Sequence, residues 1–281
     1  LRALKDLYKH FSSRYQHVFL DYQVDPTPRY DTSKGPHKLL RRVINENRMQ
    51  YVAVLNELIT FKPELALIPS VQQNEDSPFW KNEYLPALDM AVLYSMISTK
   101  RPNQYIEIGS GNSTKVAALA IKNDQLTTTI TCIDPQPRAN ISSIVDRHIR
   151  SPFEKLDFFK EIAIDSGDIL FIDNSHRLLP NSDVMVLFLE ILPQLPTGVI
   201  VHLHDIYLPF DYPQFMCDRF YSEQYMLAAF LINNPERYHT ICPNYFISED
   251  DELSQVYQSL WDIAALQGVE RHGGSYWLEI R

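Results

Sequence analysis

Apolar and polar positions along the 281-residue chain fall into two regimes. Over the first hundred residues, apolar side chains recur at three- and four-residue intervals in segments 1–15, 37–60 and 85–98, and this spacing predicts helices. Asp31, Thr32 and Ser33 interrupt the pattern. A polar stretch over 68–78 reads as a loop and a boundary. Pro86 suits the entry of the 85–98 helix, and Lys100-Arg101-Pro102 its stop. From residue 104 onward short apolar runs alternate with helical spacing. Strands are predicted over 104–108, 128–133, 168–173 and 198–204, with a weaker one at 147–150. Helices are predicted over 113–122, 155–162, 181–192, 219–233 and 251–265, and extended runs at 238–243 and 275–281. The alternation implies an α/β fold, a doubly wound, mostly parallel seven-stranded sheet covered by helices on both faces. Residues 81–281 form this domain, and residues 1–80 a helical N-terminal extension that reads as a substrate lid or a homodimer contact.

Composition narrows the classes of function. Hydrophobic residues make up 45% of the chain, enough to fill a core. No run of 18 apolar residues occurs and the N-terminal stretch has no signal-peptide pattern, so neither a membrane span nor a membrane partner is expected. Cys132, Cys217 and Cys242 are odd in number and contain no C-x-x-C pair, which argues against a disulfide framework or structural zinc site and for a reducing cytoplasm. The net charge of −9, with only Lys38, Arg41 and Arg42 clustered, leaves no groove for nucleic acid.

The chemistry-bearing residues stand where the predicted strands stop, which is where an open parallel sheet binds ligands. The first strand runs into Glu107-Ile-Gly-Ser-Gly-Asn-Ser-Thr. Gly109 and Gly111 permit a tight turn and close approach to the backbone, while Ser110, Asn112, Ser113 and Thr114 flank or cap the helix that follows, whose amides would face an adenosyl ligand. Asp134, at the tip of the next strand, can accept hydrogen bonds from both hydroxyls of a ribose. Two later strands end in Asp173-Asn-Ser-His176 and His202-Leu-His204-Asp205. Asp173, His176, His204 and Asp205 would meet in one pocket, either holding a divalent metal that acidifies a substrate hydroxyl or using a histidine as general base. His202 shares a strand face with His204 but lies two residues deeper, and reads as structural.

Four segments together resemble the class I S-adenosylmethionine-dependent methyltransferases, in particular the family 24 branch of small-molecule enzymes. They are E-I-G-S-G-N-S-T at 107–114, C-I-D-P at 132–135, G-D-I-L-F-I-D-N-S-H at 167–176 and G-V-I-V-H-L-H-D-I at 198–206. The resemblance covers residues 80–281 and implies a Rossmann-like fold whose last strand inserts antiparallel between its neighbours. It implies S-adenosylmethionine as cofactor, with Glu107, Gly109 and Gly111 around its methionine part, Asp173 beside the methionine amino group, Asp134 on its ribose, and Ser110 and Ser113 as further cofactor-binding residues. Position in the fold further suggests Asp157 and Phe158 near the adenine. The related catechol-type O-methyltransferases take metal ligands from an aspartate on the fourth strand and an Asp-Asn pair on the fifth. Asp173 and Asp205 match, but Ile206 replaces the Asn, so a divalent metal such as Mg²⁺ there needs a histidine or water to complete its shell. The function implied is methylation of a small molecule at oxygen, with His204 or His176 taking the proton and Asp205 orienting a histidine or the substrate. Two other readings remain at this level. A nicotinamide-dependent oxidoreductase is disfavoured because Thr114 stands where G-x-G-x-x-G needs its third glycine. The other is an idle scaffold that keeps the cofactor fold as a binding module.

Overall fold

The computed structural model describes residues 8, 10–12, 16–137 and 140–281. The helix expected over 1–15 lies largely outside them. Seven strands form one sheet: β1 (Gln104–Ile108), β2 (Thr129–Ile133), β3 (Arg147–Ile149), β4 (Ile169–Ile172), β5 (Ile200–Leu203), β6 (Tyr238–Pro243) and β7 (Tyr276–Ile280). Their spatial order is β3-β2-β1-β4-β5-β7-β6. The first five pair in parallel, and β7 lies antiparallel between β5 and β6, as the resemblance implied. The inner strands are short, largely apolar runs because helices cover both faces of the sheet. All four residues of β4 and of β5 are buried.

The five longest helices among the described residues are α1 (Lys38–Asn45), α2 (Arg48–Thr60), α3 (Ala87–Lys100), α4 (Asn112–Asn123) and α5 (Glu223–Asn233). Every residue of α3 from 87 to 98 is buried, so it is a core helix, apolar nearly all round. It stops where expected, with Arg101 in the left-handed region and Pro102 behind it. The segment expected as one helix over 37–60 is two, broken at Glu46 and Asn47. Leu40, Ile44, Tyr51, Leu55 and Leu58 belong to the same hydrophobic core as the sheet. Arg48 also grips Asp250 with two hydrogen bonds of 2.7 and 2.6 Å, which ties α2 to the chain beyond β6.

Other helices depart from the sequence pattern for local reasons. The helix expected over 219–233 begins only at Glu223, because the amides of Ser222 and Glu223 are drawn to the carbonyl of His176. The one expected over 181–192 is α-helical at Asp183–Val186, widens to a π-turn over Leu187–Ile191, and ends around Pro193, whose missing N–H cannot continue the ladder. The 155–162 and 251–265 segments contain only short helices, Phe158–Glu161 and Asp251–Val256, flanked by 3₁₀ turns. A helix over Asn244–Glu249 follows β6 directly, where the sequence pattern gave none.

Candidate active site

The register of the sheet assembles the site. Ile108 of β1 lies beside both Ile133 of β2 and Ile172 of β4, and Ile172 lies beside Leu203 of β5. The residues that follow these strands are therefore brought level. The amide of Gly109 donates to Ile133, that of Asp173 to Ile108, and that of His204 to Ile172, at 3.0, 2.9 and 2.9 Å. Asp173 and His204 thus stand next to each other and next to the glycine turn. A cavity of about 400 Å³ opens above them. Ser110, Gly111, Asn112, Ser113 and Lys115 line it on one side, Phe171, Asp173 and His204 form its floor, and the loop bearing Glu75, Phe79, Asn82 and Leu85 closes the other side. The stretch read from sequence as a boundary is thus a wall of the cavity. Buried Asn82 holds it in place: its side-chain oxygen accepts from the amides of Tyr84 and Leu85, and its amide donates to the carbonyls of Phe79, Trp80 and Leu85.

The glycine turn differs in detail from its sequence reading. Helix α4 begins at Asn112, with Gly111 preceding it as the cap position, so Ser113 and Thr114 lie inside the first turn. Their hydroxyls point down and donate to the carboxyl of Glu107, Thr114 at 2.8 Å. Thr114 Oγ1 also accepts from the Gly111 amide at 3.0 Å. Burial pushes the Glu107 carboxyl up to about 8, against the pull of those two hydroxyls. Gly109 has φ +96°, and a Cβ there would sit 2.5 Å from the carbonyl oxygen of Asp173. Close packing of β1 on β4 is thus enough to require glycine at 109. Gly111 has extended backbone and open space around it.

Ser110 donates to Asp134 Oδ2 at 2.6 Å, and the amide of Gln136 donates to Oδ1 at 2.8 Å. These bonds fix the carboxylate at the β2 tip, beside the turn and outside the residues lining the cavity. Asp157 is exposed, and Phe158 is buried edge-on against Phe153; neither lines the cavity.

At the other end, four groups form a cage. His176 Nε2 lies 3.3 Å from Asp173 Oδ1 and 3.6 Å from Asp205 Oδ2, and His204 Nδ1 lies 3.6 Å from Asp173 Oδ1 and from Asp205 Oδ1. Both imidazoles are buried. His176 is fixed from behind: its Nδ1 meets Glu223 Oε2 at 3.0 Å, and Tyr221 stacks on the ring at 4.8 Å. His176 and Asp205 both have left-handed backbone, with φ of 60° and 55°, a strain that tertiary contacts must offset. Neither ring nitrogen of His204 makes a hydrogen bond. Burial works against charge on His204, but Asp205 and Asp173 raise it to about 9. For His176 burial is likewise outweighed, by Asp173 and Glu223, which hold it well above its ordinary value. The two histidines keep the carboxyl of Asp173, itself exposed, well below the usual range.

His202 lies outside this cage, as its depth suggested. It stacks on Phe171 at 3.7 Å and meets Ser275 Oγ at 2.7 Å.

Two acidic residues of the site region escaped the sequence reading. Glu223 lies 47 positions from His176 on α5, with no pattern linking them. Asp89 is a lone charge in the apolar run of α3, and that isolation was its only signal. Fully buried, it accepts from Asn244 Nδ2 and from the amides of Gly274 and Ser275, at 2.8, 2.7 and 3.1 Å. The segment 207–215 contributes Tyr207 and Tyr212 to a small buried cluster with Met216, Cys217 and Tyr221.

Residues 106–206 match a protein family described as "Methyltransferase domain". A comparison with curated proteins gave no match. Among solved structures, the plantazolicin methyltransferase BpumL in complex with SAH is 13% identical with a TM-score of 0.41, covering 87% of this chain and 100% of its own. An O-methyltransferase from Bacillus cereus in complex with SAH is 11% identical with a TM-score of 0.36, over 82% of this chain and 91% of that one. The O-methyltransferase TomG from Streptomyces achromogenes, involved in tomaymycin synthesis and in complex with SAM, is 13% identical with a TM-score of 0.34, over 87% and 89%. No helix among the described residues is long and apolar enough to cross a membrane.

Proposed function

We propose that the chain, whose residues 106–206 match a methyltransferase domain, is an S-adenosylmethionine-dependent methyltransferase that methylates an oxygen of a small molecule. One observation carries this reading: the glycine turn and the Asp173–His204 strand ends border a single cavity of about 400 Å³, a size suited to small ligands. The residues fit the cofactor. Ser110, Gly111, Asn112 and Ser113 border the space above the turn, and Asp134 is held at the neighbouring strand tip for a ribose. When bound, S-adenosylmethionine supplies an electrophilic methyl group on a sulfonium sulfur. The protein's own task is to align an acceptor oxygen in the cavity, exclude water and take up its proton.

The Asp173–His176–His204–Asp205 cage is where that proton is handled. His204, which borders the cavity, is our candidate acceptor, with Asp205 beside it orienting the ring. In this role the imidazole must be neutral when the acceptor arrives, whereas the surrounding carboxylates favour its charged form.

A specific observation favours a second reading, in which the cage holds a divalent cation. The 3.3 and 3.6 Å separations between nitrogen and oxygen are long for hydrogen bonds but close to the ligand–ligand edge of about 3.4 Å that tetrahedral bonds of 2.0–2.1 Å require. Asp173, His176 and His204 offer ligand atoms all within 4.8 Å of one another, and Glu223 behind His176 is the carboxylate partner that metal-bound histidines commonly have. Such a cation supplies Lewis acidity toward a hydroxyl and takes the place of the imidazole protons. With two imidazole donors the cage suits Zn²⁺ or Mn²⁺ better than Mg²⁺.

Incubation with methyl-labelled S-adenosylmethionine and a panel of phenols, sugars and amines tests the main reading. Label is expected in a hydroxyl acceptor; label only in amines contradicts the assignment to oxygen, and an enzyme that labels no class is the idle scaffold. Chelation followed by metal add-back separates the two cage readings. In the metal reading Glu223→Gln lowers Zn²⁺ affinity about 10- to 100-fold by titration calorimetry; unchanged affinity would place the ion away from His176, and no binding in the parent leaves His204 as the base.

A further inference from the structure

The same cavity contains a buried cation with no partner. Lys115, the fourth residue of α4, is only 5% exposed and lines the cavity beside Gly111, Asn112 and Asp173. Its ammonium makes no ion pair or hydrogen bond among the described residues. With its stem buried and its ammonium reached only from the cavity, the lysine is placed to meet an opposite charge on whatever occupies that space. Asp173 borders the same space but is committed to His176 and His204, and Glu75 on the facing loop makes no ion pair with the lysine. A second orphan lies three residues away: Asn112 Oδ1 is buried and accepts no hydrogen bond. The α4 side of the cavity thus presents a cation without a protein partner, beside a buried oxygen that a turn of the Asn112 side chain brings to whatever lies over the glycine turn. A ligand end carrying a carboxylate and an ammonium on one carbon satisfies both.

We propose that Lys115 receives the carboxylate of the amino-acid end of S-adenosylmethionine, with Asn112 Oδ1 accepting from its ammonium. This rests on the cofactor reading above and assigns to it a charge contact that the sequence motif did not reveal. The contact also orients the cofactor: an α-amino acid has its charged groups at one end, so anchoring that end by Lys115 fixes which way the rest of the molecule runs along the strand tips.

Titration calorimetry with three ligands tests it: S-adenosylhomocysteine, its decarboxylated analogue, and 5′-methylthioadenosine, which lacks the whole amino-acid end. In the unaltered protein, loss of the carboxylate is expected to weaken binding about 10- to 100-fold, the range of a charge-assisted hydrogen bond. Lys115→Met is expected to weaken S-adenosylhomocysteine by a similar factor and to leave the other two ligands within about twofold, so that the two losses do not add. Methylthioadenosine binding doubles as the check that the variant is folded. The proposal is overturned if K115M binds S-adenosylhomocysteine as the parent does, if all three ligands weaken equally, or if the parent does not discriminate against the decarboxylated analogue. If the parent binds none of the three, it is the cofactor reading itself that fails.

Discussion

At the scale of single residues, the glycine motif answers first to structural demands. Gly109 is required by its left-handed backbone and by the Asp173 carbonyl 2.5 Å from where a Cβ would lie. Glu107 sits in the motif's first position but below the turn, a buried carboxyl under the hydroxyls of Ser113 and Thr114. Its folded value of about 8 lies above the ordinary 4.5, so the native protein keeps a proton that the unfolded chain has lost. The stabilisation this gives is complete below about pH 4.5 and is lost as pH rises through about 8, with a slope of up to about 1.4 kcal/mol per pH unit. Glu107→Gln should remove this slope: urea denaturation of the ligand-free variant across pH 5–9 is expected to show the flatter profile, and an unchanged profile would place the titration elsewhere. The motif was legible in sequence because glycine, carboxylate and hydroxyl positions are fixed by local chain geometry. The orphaned charge on Lys115 was not, since burial without a partner is a property of what surrounds a residue.

At the scale of elements, the strands were legible and the helices only in part. A strand buried on both faces is dominated by apolar residues, so β4, apolar throughout, and β1, β2 and β5, each with only one or two polar positions, stood out. The helices on the sheet's flanks answer to tertiary demands. The start of α5 is displaced by amides that bond His176, and the 181–192 helix is reshaped ahead of Pro193. Asp89 joins three elements, α3, the turn before β7 and the helix after β6, by three hydrogen bonds to one carboxylate. Gly274 in that turn also accepts from the amide of Ile206, directly after Asp205. The acid on α3 thereby supports the backbone at the end of β5. Asp89→Asn turns one acceptor oxygen into a donor facing a buried N–H. It is expected to cost about 3 kcal/mol of stability in urea denaturation; a loss under about 0.5 kcal/mol would show that the turn is held by other contacts.

At the scale of the whole molecule, sheet order decides what meets what. The strands on either side of β1 deliver Asp134 from β2 and Asp173 from β4, and β5 adds His204 and Asp205, although 71 positions separate Asp134 from Asp205. This convergence could be read from sequence because parallel neighbours align their ends. Glu223 could not, because α5 reaches the back of His176 by a fold-wide path that leaves no spacing signature. The two ends of the site should separate in function. Asp134→Ala is expected to weaken S-adenosylhomocysteine binding about tenfold or more while leaving the cage intact, and His204→Ala to leave that affinity within about twofold while lowering turnover at least a hundredfold. Equal effects of both variants on binding would merge the two ends into one.

The most direct measurement is calorimetric titration of the unaltered protein with S-adenosylhomocysteine. One-to-one saturable binding, matched by a rise in melting temperature that grows with ligand concentration, is expected. No heat of binding and no thermal shift at millimolar ligand would contradict the account at its centre.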